Sequence, residues 1–318
     1  MSITRRTALK LGLGAGATLL LDGLPSLARA QTPLIRKPIP TSGEQIPVIG
    51  LGSAGTFNLA PSQPDYEAGQ EVLRRFHELN GKVIDTAPTY QRSERFIGET
   101  VQALGIEDEL FLATKVNVGS AGRAAAVRQM EASSRVFGRR TVDLMQVWNL
   151  GDSIRNLSDR FLPAHMEAVT EWKAAGRCRY IGITTSRDPQ YPDVETALRR
   201  YDVDFVQLDY SIGDRTAEQR LLPLARERRI AVIANRPFTT GNLFRVVADR
   251  RLPDWASEID CRSWAQFFLK YVVSHPAVTC AVPATRNPAH VRDNMGACTG
   301  RLPDEPLRKR MVEVFSTL

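Results

Sequence analysis

Short runs of apolar, largely β-branched residues alternate along this chain with longer stretches in which apolar residues return every three or four positions. The runs are Val48–Gly52, Lys82–Asp85, Leu110–Lys115, Asp143–Trp148, Tyr180–Thr184, Phe205–Asp209, Ile230–Asn235 and Val278–Pro283. Their length and composition predict strands buried on both faces. Between them, Glu67–Leu79, Arg123–Phe137, Ala164–Ala175 and Thr216–Arg228 carry the helical spacing, with Ser93 and Thr216 as candidate N-caps. Eight repeats of strand and helix in about 250 residues predict an α/β protein, a closed parallel (β/α)8 barrel of the TIM-barrel kind. An open doubly wound sheet is the alternative. It needs a glycine-rich turn that opens a helix after an early strand. Gly50-Leu51-Gly52-Ser53-Ala54-Gly55 has the letters of that turn, but Thr56-Phe57-Asn58 and a proline-rich loop follow it.

The first thirty residues fall outside this alternation. Thr4-Arg5-Arg6-Thr7-Ala8-Leu9-Lys10 is a twin-arginine pattern, Leu11 to Leu24 is a mildly apolar run rich in Gly and Ala, and Ala28-Arg29-Ala30 is a small-x-small cleavage site. The run is too short and too glycine-rich to span a bilayer comfortably. The expectation is a twin-arginine signal peptide over 1–30, a single barrel domain over 31–318, the twin-arginine (Tat) export machinery as a partner, and a periplasmic location with no membrane span after processing. That route carries folded proteins, which suits a chain that takes up a cofactor before export.

Processing changes the charge picture. The formal charge is +7; removing 1–30 takes away Arg5, Arg6, Lys10, Arg29 and Asp22 and leaves +4. The remaining basic pairs, among them Arg74-Arg75, Arg139-Arg140, Arg199-Arg200 and Arg228-Arg229, are spread over helical segments as solvated faces, and no nucleic-acid stripe forms. Cys178, Cys261, Cys280 and Cys298 lie far apart, without Cys-x-x-Cys or a His at ligand spacing, so no metal site is expected. Buried thiols are the commoner outcome, although an exported protein can pair two of them.

Candidate chemistry gathers where strands end. The second strand stops at Asp85, Tyr90 follows five residues on, and the third strand delivers Lys115 to the equivalent place. In a parallel barrel that end carries the active site. A Tyr gives up its proton more readily beside an ammonium that a carboxylate holds in place. Asp85, Tyr90 and Lys115 therefore form one unit, although each alone reads as a loop cap, a half-buried aromatic and a solvated strand end.

The stretch Asp85-Thr86-Ala87, with Tyr90, Ser93, Glu94 and then Lys115, resembles the signature of the aldo-keto reductases, and the resemblance runs from Ile46 to the end. It implies a nicotinamide cofactor that delivers hydride to a carbonyl while Tyr90 protonates the oxygen. In that family the fourth strand supplies a His five residues after an Asp; counted from Asp143, the place is taken by Trp148. An indole N–H donates but does not protonate. Strand alternation points Trp148, and not Asn149, into the pocket. The resemblance further implies Thr184, Thr185, Gln207, Asn235, Arg236 and Phe238 around the nicotinamide half. Asn235 stands where a stacking Tyr is usual, leaving Trp148, Phe238 or Tyr210 to provide a face. Thr285, Arg286, Asp293 and Asn294 match the segment that clamps the adenosine half. Ala284 and His290 occupy places where many members carry Lys and Arg, and Arg286 and Arg292 are placed to supply that charge. NADP is preferred, with NAD as the alternative, and the implied substrate is a small carbonyl compound.

Two other functions fit the fold. One is a barrel outside the cytoplasm that binds a cofactor or small ligand without turnover, which Trp148 and Asn235 favour. The other is a phosphate-binding isomerase or lyase, which explains none of the matched residues. Substrate choice is expected to lie in the loops Gly151–Leu162 and Thr239–Ala256.

Overall fold

The computed structural model describes residues 33–150, 161–186 and 188–318. The leader, with Arg5-Arg6 and its cleavage site, lies outside the described residues, as do residues 151–160 of the loop expected to choose the substrate. The described chain opens with an antiparallel hairpin, β1 (Arg36–Pro38) and β2 (Gln45–Pro47). Eight parallel strands then follow in sequence order around one sheet. They are β3 (Leu51–Gly52), β4 (Val83–Asp85), β5 (Phe111–Val116), β6 (Val142–Val147), β7 (Cys178–Thr184), β8 (Phe205–Asp209), β9 (Ala231–Asn235) and β10 (Val278–Ala281).

The sheet curls round until its ends meet. Gly50 and Gly52 donate their amides to the oxygens of Ala281 and Pro283 at 2.8 and 3.0 Å, and isolated bridges join Ile49 to Ala281 and Gly52 to Ala284. The close approach requires glycine: a Cβ on Gly52 would lie 2.6 Å from the Val282 oxygen. The predicted (β/α)8 barrel is therefore the fold, and each predicted strand is found within a few residues of its expected limits. The regular part of the first strand is shorter than predicted, because the chain around Gly50 is pinned at this seam.

Helices α1 (Tyr66–Glu78), α2 (Ser93–Leu104), α3 (Gly122–Val136), α4 (Leu162–Ala174), α5 (Tyr191–Arg200) and α6 (Leu221–Glu227) pack outside the strands. They are followed by the short α7 (Asn242–Val246) and by α8 (Trp264–Ser274), α9 (Pro288–Gly296) and α10 (Glu305–Ser316). In α1 the spacing that predicted the helix is the spacing of burial, with Gly69, Val72, Leu73 and Phe76 turned to the core. Each large apolar side chain buried there contributes about 1.5–3 kcal/mol.

Two expected N-caps are corrected. Ser93 is already inside α2, and its hydroxyl donates to the Ser53 oxygen at 3.2 Å. Thr216 opens a 3-10 turn, where its amide is accepted by Asp214 at 3.2 Å, and the helix proper restarts at Leu221.

The barrel is filled at its N-terminal end. Phe111, Tyr180 and Phe205 pack together inside it, with Ile39 of the hairpin in the same buried cluster. The Tyr180 hydroxyl donates to Glu44 at 2.6 Å and lies 2.8 Å from the Ser42 hydroxyl. Asp143 accepts from the Leu112 amide and pairs with Arg139 and Arg179, each at 2.8 Å. With this end filled, the cavity among the described residues opens at the strands' C-terminal ends.

All four cysteines are free and buried, and burial pushes the thiols of Cys178, Cys261 and Cys298 up to about 12. Among the described residues no helix is long and apolar enough to cross a membrane. Pro33–Leu318 is one compact unit.

Candidate active site

Asp85 is the last residue of β4 and Lys115 the last but one of β5, so neighbouring strands deliver a carboxylate and an ammonium to one place. Lys115 is 1% exposed and Asp85 5%. Nζ of Lys115 donates to both carboxylate oxygens of Asp85, at 2.7 and 2.8 Å, and to the Thr86 oxygen at 2.9 Å. It lies 5.1 Å from the centroid of the Tyr90 ring. Burial works to drive the proton off Lys115, but the Asp85 carboxylate and the Tyr90 phenol outweigh it and hold the ammonium above its ordinary value. The three residues that the sequence joined are thus one unit in space.

Glu94 of the same signature does different work. It is buried between β5 and α3, accepting from the hydroxyls of Thr114 and Ser133. Burial raises its pKa against those two hydrogen bonds and the charge of Lys115. It ties α2 to its neighbours and does not line the cavity.

A cavity of ≈ 610 Å³ opens over this unit, and Asp85 and Tyr90 lie on its wall. Trp148 lies there too, its ring set edge-on to Tyr90. The strand that carries it stops at Val147, one residue before. The Trp148 amide donates to Val116 and its carbonyl accepts from Asn117, both at 3.0 Å. Asn149 then takes a left-handed φ of 54° and gives its amide to Thr184 Oγ1 at 2.8 Å. Both Trp148 and Asn149 line the cavity. The expectation that alternation would turn Asn149 away is corrected, because alternation ceases where the strand ends.

The opposite wall comes from β7, β8 and β9. Thr184, Thr185, Gln207, Asn235, Arg236 and Phe238 all lie on it, as expected. Thr185 donates its hydroxyl to Gln190 at 2.8 Å, and Asn235 Nδ2 donates to the Thr185 oxygen at 3.4 Å. Arg236, in a left-handed conformation at φ 47°, donates from Nη1 to Asp209 Oδ2 and to the Ser186 oxygen, both at 2.9 Å. Burial pushes the Asp209 carboxyl up to about 6, against the pull of Arg236 and helped by Asp214 and Asp188. Phe238 packs on Phe244 at a centroid distance of 4.8 Å. Tyr210 offers no face to a ligand here: it is buried away from the cavity, with its hydroxyl between Glu218 and Arg308.

Thr285, Arg286, Asp293 and Asn294 stand off the cavity wall, whereas Ala284 is on it. Thr285 accepts from the Asn287 amide at 3.0 Å and lies 3.3 Å from His290 Nδ1. Arg286 pairs with Asp65 at 3.5 Å on the surface. Asp293 accepts from Ser263 and Gln266, both at 2.8 Å, tying α9 to the start of α8, and Asn294 is buried beside it in sequence.

Sequence reasoning missed Ser53, Asn149, Asp209 and Phe244. Of these, Asp209 closes a strand that was predicted, and that position was the available signal. Ser53 Oγ and Asn235 Oδ1, on two residues of the cavity wall, are buried without a hydrogen-bond partner among the described residues. Together with Thr184, Thr185 and Gln207 they give the mixed donor and acceptor set that a carboxamide needs, with one guanidinium nearby for phosphate. These residues fit a nicotinamide dinucleotide. Among the described residues no group of His, Cys, Asp and Glu is placed to hold a metal ion.

Comparison with known proteins places residues 48–309 in a match to the family described as the aldo/keto reductase family. The methylglyoxal reductase YeaE of Escherichia coli is 26% identical over 264 residues, covering 81% of this chain and 88% of that protein. Two crystal structures of aldo/keto reductases from Klebsiella pneumoniae superpose on this chain at 25% identity. One, in complex with NADP and acetate, has a TM-score of 0.71 and covers 86% of this chain and 93% of its own. The other, in complex with NADPH, has a TM-score of 0.72 and covers 89% and 95%.

Proposed function

The chain belongs to the aldo/keto reductase family, and on that premise we propose that it is an NADP-dependent oxidoreductase that reduces the carbonyl of a small aldehyde or ketone. The observation that carries the reading is Lys115 locked onto Asp85 and set against the Tyr90 ring at the floor of an open cavity. The Klebsiella relatives seen with NADP and NADPH support the cofactor, and the Escherichia coli relative, a methylglyoxal reductase by name, supports the reaction class.

Thr184, Thr185, Gln207, Asn235 and Ser53 would hold the carboxamide end of the cofactor, and Arg236 would meet its phosphates. Thr285, Arg286, Asp293 and Asn294 would serve the adenosine end. When bound, the reduced nicotinamide supplies the hydride. Tyr90 gives its proton to the carbonyl oxygen as negative charge grows there. Lys115 sets a positive charge beside the phenol oxygen as it loses that proton, and Asp85 keeps the ammonium in place. Trp148 brings an indole N–H to the same wall, and with Phe238 and Phe244 it shields that wall from water. Because an indole cannot pass a proton, the acid work falls to Tyr90 alone, which makes this an atypical member.

The proposal extends to location. Residues 1–30 have the arginine pair, the short apolar run and the cleavage site of a twin-arginine leader, so the mature protein is the barrel from residue 31, delivered folded to the periplasm. A second reading, in which the barrel binds its cofactor or a small ligand without turnover, is favoured by one observation, Trp148 on the wall where the family's His acts.

Titrating the mature protein with NADPH and, separately, NADH, and following indole fluorescence, tests both readings. Saturable quenching, with tighter binding of NADPH and turnover of simple aldehydes that Tyr90→Phe abolishes, is the expected result. Binding without turnover of any carbonyl compound selects the second reading. Absence of binding to a folded protein removes the cofactor assignment altogether.

A further inference from the structure

Gln146 has a contact with the catalytic unit that the reading above does not use. It lies on β6, in register with Lys115 on β5 and Gly182 on β7, and its side chain is fully buried inside the barrel. A Cβ on Gly182 would come within 3.2 Å of Gln146 Cγ and 2.9 Å of the Phe205 oxygen, so the bare glycine is what leaves room for the amide. Nε2 of Gln146 lies 3.4 Å from Asp85 Oδ1, a long hydrogen bond. Charge fixes its orientation, since turning the amide over would set Oε1 against a carboxylate. That orientation leaves Oε1 buried with no partner among the described residues. A methionine would fill the same volume without an unmet acceptor, so packing does not account for an amide here. What the amide gains is its donor on Asp85.

We propose that Gln146 is a positioning residue of the proton-donating unit: a second donor to Asp85, after Lys115, that offsets the carboxylate's charge and so tunes the field that the Asp85–Lys115 pair sets up at Tyr90. It does not line the cavity. Its use in catalysis rests on the carbonyl-reductase reading, but its effect on Tyr90 does not.

The test reads Tyr90 directly. Phenolate absorbance is titrated in the protein and in Tyr90→Phe, and the difference isolates the ionisation of Tyr90; the same pair is then made in a Gln146→Met background. Losing the positive end of the amide dipole leaves the site more negative, so the Tyr90 curve is expected to move up by about half a pH unit. In turnover assays the same change should lower kcat about threefold to tenfold while NADPH affinity stays constant. Superimposable Tyr90 curves with and without the amide would overturn the proposal and make Gln146 a filler of the barrel, a role that moves thermal stability and not this curve. Gln146→Leu, which also lacks the donor, stands in should the methionine variant not fold. If the curve shifts as expected while no carbonyl is turned over, the positioning role stands and the reductase reading is what fails.

Discussion

The rings of Tyr90 and Trp148 meet edge to face, their centroids 6.3 Å apart and their planes at 81°. The proposed proton donor therefore has, as its neighbour on the cavity wall, a group that offers one N–H and exchanges no proton. General acid–base assistance from a positioned side chain is worth about 100-fold to 10,000-fold, and on the proposed mechanism Tyr90 has no imidazole beside it, only Trp148. Trp148→His puts an imidazole at the place, and on the proposed mechanism kcat for a simple aldehyde should rise about tenfold or more. Steady-state kinetics on both proteins measures it. An unchanged or lower kcat would show that the missing imidazole does not limit turnover.

Replacing Lys115 by Met leaves the Asp85 carboxylate buried without its ammonium. Breaking a buried pair from one side costs about 3–5 kcal/mol, and urea unfolding should report a loss of that size. The double change Asp85→Asn with Lys115→Met removes the stranded charge and should recover part of the loss, while both proteins stay inactive. A single variant as stable as the parent would mean that the buried Asp85 carboxylate does not depend on its ammonium partner.

Asp209 gives the fold a pH dependence with a definite sign. Its carboxyl titrates at about 6 in the folded protein against 3.8 for an ordinary aspartate, because it is buried and only partly answered by Arg236. Between those values the folded chain holds a proton that the unfolded chain has lost. The contribution is therefore complete below pH 4 and disappears as the pH rises through 6. Asp209→Asn should flatten the stability curve over this window, by about 2–3 kcal/mol between its ends. Urea midpoints at a series of pH values compare the two proteins, and parallel curves would rule the contribution out.

Much of the architecture was legible because a strand buried on both faces leaves a plain mark, a β-branched run bounded by polar residues. Val83-Ile84 and the run from Phe111 to Thr114 show this, and Asp85 and Lys115, at the end of one such strand and next to the end of the other, were legible for the same reason. The hairpin that seals the barrel was not foreseen, since strands of three residues bearing Pro38 and Pro47 have no periodicity to read. Asn149 was misplaced because alternation was carried one residue past the end of β6. The direction of Asp293 depends on Ser263 and Gln266, about thirty residues away in sequence, and no local pattern reports such a pairing.

The cysteines reach beyond this site. With thiols buried and three of them ionising only at about 12, roughly one part in 10⁵ is thiolate at neutral pH, and the thiolate is the nucleophile that attacks oxidants and disulfides. In the folded barrel these side chains therefore behave as inert packing in reducing and oxidising surroundings alike. Its covalent structure needs no oxidase, isomerase or reductase to keep it as folded.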